Sequence, residues 1–231
     1  KLSADSLSLL KTAGKINLNT AEEYFYRAYE KNNKGDYNGA IVDYTKAIEI
    51  NPNYFVYVNR GVVKNELKDY YGAIADYTKA IEINPNFAFT YSSRGHAKND
   101  LKDYYGAIAD YTKAIEINPN FADAYFNRGG AKYVLKEYYG AIADFTKAIE
   151  NDYVESGYFN RGLAKRELKD YYGAIADFTK VIEINPNFAL AYFNRGGAKY
   201  YLNNMYGACI DFRNAIKLGL DEAELINSIC K

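Results

Sequence analysis

The residues able to carry out chemistry are few. His96 is the single histidine of the 231-residue chain, and Cys209 and Cys230 are its two cysteines. One imidazole without a nucleophile motif, a phosphate loop or a metal-ligand cluster is expected to line a surface rather than act as a general base. The sequence therefore implies no catalytic residue, no metal site and no cofactor. Two cysteines are too few for a disulfide framework, and their spacing matches no metal motif. They are expected as buried free thiols, the alternative being one disulfide that ties the last helix down. What recurs instead is amide chemistry: Asn59, Asn127, Asn160 and Asn194 each stand two residues before a repeated glycine. A primary amide carries donor and acceptor on one planar group, so four at one phase offer a row of hydrogen-bonding sites. Solvated or intramolecular asparagines are the alternative reading.

The elements that position these residues come in repeats. Leu67 to Phe87 reads LKDYYGAIADYTKAIEINPNF, Leu101 to Phe121 is the same string 34 residues on, and Leu168 to Phe188 differs only at Phe178 and Val181. A period of this length indicates a solenoid whose units bury their apolar faces against their neighbours. Within the unit from Ala88 to Phe121, Tyr91, Ala97 and Leu101 form one stripe at helical spacing, and Tyr105, Ile108, Tyr111 and Ile115 form another. Asp36, Asp69, Asp103 and Asp170 stand where an N-cap of the second helix is needed. Pro52, Pro85, Pro119 and Pro186 stop that helix, since proline lacks an amide donor and clashes with the preceding turn. Gly95, Ala107 and Ala114 are small, as two helices folded back on each other require.

On these residues the sequence resembles the tetratricopeptide repeat, whose signature places an aromatic, Leu-Gly and Tyr on the first helix and Ala, an aromatic and Pro on the second. Tyr91, Gly95, Ala107, Tyr111, Ala114 and Pro119 carry the match. The resemblance implies an all-α, right-handed superhelical solenoid of antiparallel helix pairs, with about twelve repeat helices. Six units are expected at 21–54, 55–87, 88–121, 122–154, 155–188 and 189–222. Residues 1–20 form an N-terminal helical segment in this reading, and 223–231 a C-terminal capping helix with Leu225, Ile226 and Ile229 on one face.

Departures from the family pattern are regular. Arginine replaces leucine before the glycine position at Arg27, Arg60, Arg94, Arg128, Arg161 and Arg195, and aspartate recurs on the second helix at Asp43, Asp76, Asp110, Asp144, Asp177 and Asp211. Bridges between the two helices of each unit are expected, with a structural role. Lysine replaces tyrosine at Lys31, Lys64, Lys98, Lys132, Lys165 and Lys199, for which a stem lying along the helix surface is one account. The fourth unit lacks the Asn-Pro stop and is one residue short, which predicts a change in stacking between the fourth and fifth units.

In arrays of this family the first helices line the concave face. The resemblance makes Asn59, Asn127, Asn160 and Asn194 an asparagine ladder for the backbone of an extended peptide, with Tyr26 and Ser93 at the matching places of other units. Phe126, Phe159 and Phe193, one position earlier, would flank the ladder as anchors, or pack in the core. Gly130 and Gly197 leave space beside two of them, and Tyr133, Tyr200 and Tyr201 add aromatic surface, which favours the last three repeats as the binding half. The family's clamp for a C-terminal carboxylate is disfavoured, because Phe25, Tyr29, Phe89 and Ser93 stand where its cations belong.

Twenty-nine basic residues balance twenty-nine acidic ones, giving no basic excess for nucleic acid or anionic lipid. No apolar run approaches the roughly 20 residues of a membrane span. The chain begins at Lys1 rather than Met, so the compartment stays open, with a cytoplasmic setting leading over a secreted or periplasmic one. The expected function is non-catalytic: a scaffold holding an unidentified protein or peptide. The alternatives are a self-assembling module, hence a homo-oligomer, and a carrier of a small apolar ligand.

Overall fold

The computed structural model describes residues 20–221 and residue 230. Among them lie twelve α-helices and no strand. In chain order these are α1 (Ala21–Asn33), α2 (Tyr37–Ile50), α3 (Tyr54–Glu66), α4 (Tyr70–Ile83), α5 (Ala88–Asp100), α6 (Tyr104–Ile117), α7 (Ala122–Val134), α8 (Tyr138–Glu150), α9 (Val154–Glu167), α10 (Tyr171–Ile184), α11 (Ala189–Tyr201) and α12 (Met205–Lys217). They fall into two compact units, residues 1–101 and 102–231. The first holds α1 to α5 and the second α6 to α12. The expected N-terminal segment and C-terminal capping helix lie outside the described residues, apart from Thr20 and Cys230.

The second helices α2, α4, α6 and α10 begin at the expected caps. Asp36, Asp69, Asp103 and Asp170 accept from the amides of Gly39, Gly72, Gly106 and Gly173 at 2.9 to 3.0 Å, satisfying donors that the helix itself leaves open. Glycine gives each of these caps its close seat: a Cβ there would sit 2.1 to 2.2 Å from the aspartate oxygen, so the carboxylate would have to move. The helices α2, α4, α6 and α10 stop at Ile50, Ile83, Ile117 and Ile184, two residues before their prolines.

Within a pair, the turn places one residue in the left-handed region: Gly35, Lys68, Lys102, Lys136, Lys169 and Asn203 all have φ between 60° and 78°. The pairs then close through a small residue facing a large one. A Cβ on Gly61 would lie 2.7 Å from the ring of Tyr77, and one on Gly162 would lie 2.8 Å from that of Phe178. Rings and alanines make the core, as in the cluster of Ala141, Phe145 and Ala164 that joins α8 to α9. Such close packing leaves little freedom in how one helix seats on the next.

The fourth pair ends differently, as its missing Asn-Pro predicts. Helix α8 has 13 residues against 14 in α2, α4, α6 and α10. Asp152 follows it at φ +72°, and the Tyr153 amide donates back to the Ala148 carbonyl at 2.9 Å. Helix α9 also seats closely on α8, where a Cβ on Gly157 would come within 2.6 Å of Ile149 Cγ1. Val56, Thr90, Ala124 and Ala191 hold that position in other repeats.

Candidate peptide-binding site

In the second unit α9 touches both α7 and α11, so three first helices run side by side. Each presents one asparagine of the expected ladder. The Nδ2 groups of Asn127, Asn160 and Asn194 donate to the carbonyls of Asp123, Ser156 and Leu190 at 2.7, 2.9 and 2.7 Å, one turn back on the same helix. Asn59 on α3, in the first unit, donates likewise to Phe55 at 2.7 Å. This bond fixes the side chain and leaves Oδ1 as an acceptor in Asn59, Asn127 and Asn160, all part-exposed. Asn127 Nδ2 also reaches the Asp123 carboxylate at 2.9 Å.

The fourth rung differs. Asn194 is buried, and its Oδ1 already accepts from Nη1 of Arg166, which reaches across from the C-terminal end of α9. Arg166 escaped the sequence reasoning because it belongs to no repeated pattern.

The phenylalanines lean inward. Phe126 packs on Phe145 and Tyr153 with ring centroids 5.7 and 4.4 Å away. Phe159 packs on Phe178 and Phe188, and Phe193 on Phe212. All three are partly buried against core clusters, each with some surface left exposed. Gly130 and Gly197 do leave space, since a Cβ on either would meet nothing within 4 Å. Tyr133 lies edge-on to Tyr138 at 5.5 Å. Burial pushes its phenol pKa up, the Glu167 carboxylate adds to that, and Arg166 opposes it. Tyr200 stands exposed, edge-on to Tyr201 at 5.9 Å. Phe193, Asn194, Gly197 and Tyr200 line one cavity of about 570 Å³ together with Arg166 and Tyr201. A smaller cavity in the first unit, about 310 Å³, is walled by Phe25, Tyr26, Tyr54 and Phe55.

The expected Arg-Asp bridges form in the five repeats that lie wholly within one unit. Arg60 meets Asp76 at 2.6 and 2.9 Å, Arg128 meets Asp144 at 2.7 and 2.9 Å, and Arg27, Arg161 and Arg195 do the same with Asp43, Asp177 and Asp211. These aspartates are buried. The repeated lysine turns out to be the second cation of the same cluster, with Lys31, Lys64, Lys132, Lys165 and Lys199 lying 2.7 to 2.8 Å from Oδ2, the oxygen that also accepts from the arginine Nε. Its position four residues after the arginine, on the same helix face, was the available signal. The arginine then reaches the preceding repeat, as Arg60, Arg94, Arg128, Arg161 and Arg195 donate to Thr45, Thr78, Thr112, Thr146 and Thr179 at 2.9 to 3.1 Å. The cluster is internal bracing, with both charges of each bridge committed.

The expectation of two free thiols is overturned. Cys209 on α12 is bonded to Cys230, with Cα atoms 5.6 Å apart, and Cys230 packs against the cluster of Ala208 and Phe212. The pairing depends on Cys230 lying against α12, which spacing alone does not encode. His96 is part-buried on α5. No group of three or more potential metal ligands occurs among the described residues, and no described helix is long and apolar enough to cross a membrane.

Tandem antiparallel helix pairs with polar side chains in register on their first helices define a helical-repeat interaction scaffold. The tetratricopeptide repeat pattern matches residues 20–54, 55–87 and 156–188, and a second TPR repeat pattern matches 95–135, together more than half the chain. The chain belongs to the tetratricopeptide repeat family, whose members are generally non-catalytic and bind protein partners. Among solved structures it is similar to MamA, at 27% identity and a TM-score of 0.69 over 74% of this chain and 94% of that one. YrrB, described as a TPR protein with an unusual peptide-binding site, shares the fold at 24% identity and a TM-score of 0.71, over 80% of this chain and 96% of its own. A tetratricopeptide repeat protein from Parabacteroides merdae shares it at 20% identity and a TM-score of 0.69, over 91% and 97%. No curated protein sequence matches the chain.

Proposed function

We propose that this protein holds an extended segment of a partner protein against α7, α9 and α11, with Asn127 and Asn160 bonding the segment's backbone. One observation carries the reading: both amides are pinned by a bond to their own helix while Oδ1 stays uncommitted, and α7 leaves open space at Gly130. A pinned acceptor loses little freedom on binding, so more of each hydrogen bond appears as affinity. Exposed edges of Phe126 and Phe159 offer apolar contact beside it. Asn59 extends the same chemistry to the first unit.

A displayed random-peptide selection tests this. Enriched peptides should lose most of their affinity for an Asn127→Ala/Asn160→Ala variant whose unfolding midpoint is unchanged. Enrichment that survives both substitutions would move recognition to another face.

End-to-end self-assembly has less support. The Arg-to-Thr brace needs threonine two residues after each second-helix aspartate, and the last repeat carries Arg213 there. A following copy's Arg27 would meet a like charge. The disulfide, in turn, supports maturation in an oxidising compartment, since such bonds are rare where thiols are kept reduced. Alkylation of the natively purified protein without reductant should leave Cys209 and Cys230 unlabelled; two labelled thiols would return the reading to the cytoplasm.

A further inference from the structure

The last ladder position is not an asparagine rung but a charged one. Arg166 stands five residues after the bracing Arg161, and at the same register the other repeats carry Asn32, Asn65, Asn99, Tyr133 and Tyr200. Arg166 is thus the single charge at that place in six repeats. Its Nη1 closes off Asn194, and its Nη2 lies 3.1 Å from the Glu167 carboxylate. A guanidinium has five N–H donors, so donors remain on a side chain that is 31% exposed. The cavity it lines is walled by Phe193, Tyr200, Tyr201 and the Tyr171 ring stacked on Tyr201 at 5.0 Å. Two cations, Arg166 and Lys169, face one anion, Glu167, along that wall. In a chain of balanced charge, this cavity therefore carries a local positive excess.

We propose that Arg166 and the aromatic cavity beside it set the specificity of the bound segment, taking an Asp or Glu side chain on the guanidinium and a neighbouring large apolar side chain between the rings. This rests on the peptide-binding reading and adds what the segment must contain. The asparagines bond backbone alone and select no sequence, whereas a planar fork paired with a carboxylate does. The apolar neighbour follows from the space at Gly197, which opens the cavity toward Phe193. An internal acidic residue fits better than a chain terminus, because Glu167 beside Arg166 leaves one guanidinium edge rather than a full cationic clamp.

The test uses the full chain and synthetic peptides, blocked at both ends, made from sequences selected in the displayed library. The expected motif pairs an acidic residue with an aromatic or large aliphatic one. Changing that acid to its amide should weaken binding about tenfold, the scale of one charge-assisted hydrogen bond. Arg166→Gln should weaken the acidic peptide equally and bind acid and amide alike, while Arg166→Lys keeps the preference. Selected peptides without an acidic residue, or an Arg166→Gln protein that still discriminates, overturn the proposal. In that case loss of binding in Asn127→Ala/Asn160→Ala leaves the backbone ladder standing. No peptide bound by the wild type overturns both. Should Arg166→Gln unfold, the peptide-side change and Arg166→Lys still decide.

Discussion

Arg161 and Thr146 belong to consecutive repeats, and Nη1 of the arginine donates to Oγ1 of the threonine at 3.0 Å. The threonine hydroxyl in turn donates to the Ile142 carbonyl at 2.8 Å. Asp177, Arg161, Thr146 and the α8 backbone thus form one chain of hydrogen bonds that carries the charge cluster of one repeat into its neighbour. Solenoid stability is a sum of repeat and neighbour terms, and this brace contributes to the neighbour term. Thr146→Val keeps the side-chain volume but strands a part-buried arginine donor. It should cost about 1–2 kcal/mol in urea unfolding. An unchanged midpoint would show that water satisfies the arginine as well as threonine does.

Asp43 gives the cluster a pH signature. The Arg27 guanidinium hydrogen bond holds its carboxyl below the usual carboxylate range, burial opposes this, and Lys31 adds to it. A folded pKa below the unfolded one stabilises fully above the unfolded value of about 4, and the gain is lost as pH falls through the folded one. Asp43→Asn should therefore cost about 1–3 kcal/mol at neutral pH, toward the low end because the Arg27 side chain is 44% exposed. The gap between wild type and variant should narrow on acidification below about pH 4. A gap that stays constant down to the acid limit would exclude Asp43 as its source.

Much of this was legible beforehand, for a physical reason. Repetition lets one residue's role be read several times over, so the capping by Asp36, Asp69, Asp103 and Asp170 and the Arg-Asp pairing appeared as fixed offsets in the sequence. The space at Gly130 and Gly197 followed from the missing side chains themselves. The lysine partner of each aspartate was harder, since a flexible stem leaves the ammonium's destination open until the helix pair is built. Arg166 was out of reach and the Cys209–Cys230 bond was visible only as the second of two readings: each occurs once, and each depends on what three-dimensional packing places opposite it.

Tyr44 and Tyr77 occupy one position in successive repeats but differ in their hydroxyls. Both are buried, and burial pushes both phenol pKa values up. Ser93 hydrogen-bonds Tyr77, whereas the Tyr44 hydroxyl has no partner among the described residues. An unsatisfied buried hydroxyl costs about 1–3 kcal/mol. Tyr44→Phe should accordingly stabilise the protein by about 1 kcal/mol, as Phe145, Phe178 and Phe212 at this place suggest, and Tyr77→Phe should destabilise it by a similar amount. Thermal unfolding of the two variants checks this, and a shared sign would refute the assignment of partners.

Glu137 is the weak cap among the described second helices. The four aspartates at this place accept from a glycine amide, and Asn204 does so before α12 at 3.0 Å, while Glu137 makes no such bond at the start of α8. Its additional methylene carries the carboxylate past the amide that an aspartate reaches. Gly140 already provides the required room: a Cβ there would meet nothing nearer than the Lys132 stem at 3.1 Å. Glu137→Asp should therefore recreate the bond found in the sister repeats and stabilise by about 1 kcal/mol, the ordinary worth of an N-cap. Urea unfolding measures the gain, and amide exchange should slow most in the first turn of α8, where the new acceptor acts. If the midpoint stays put while the Gly140 amide becomes protected, the bond forms but is offset by the lost contacts of the longer side chain; if neither changes, the α8 start differs from its sisters in backbone and not only in side chain.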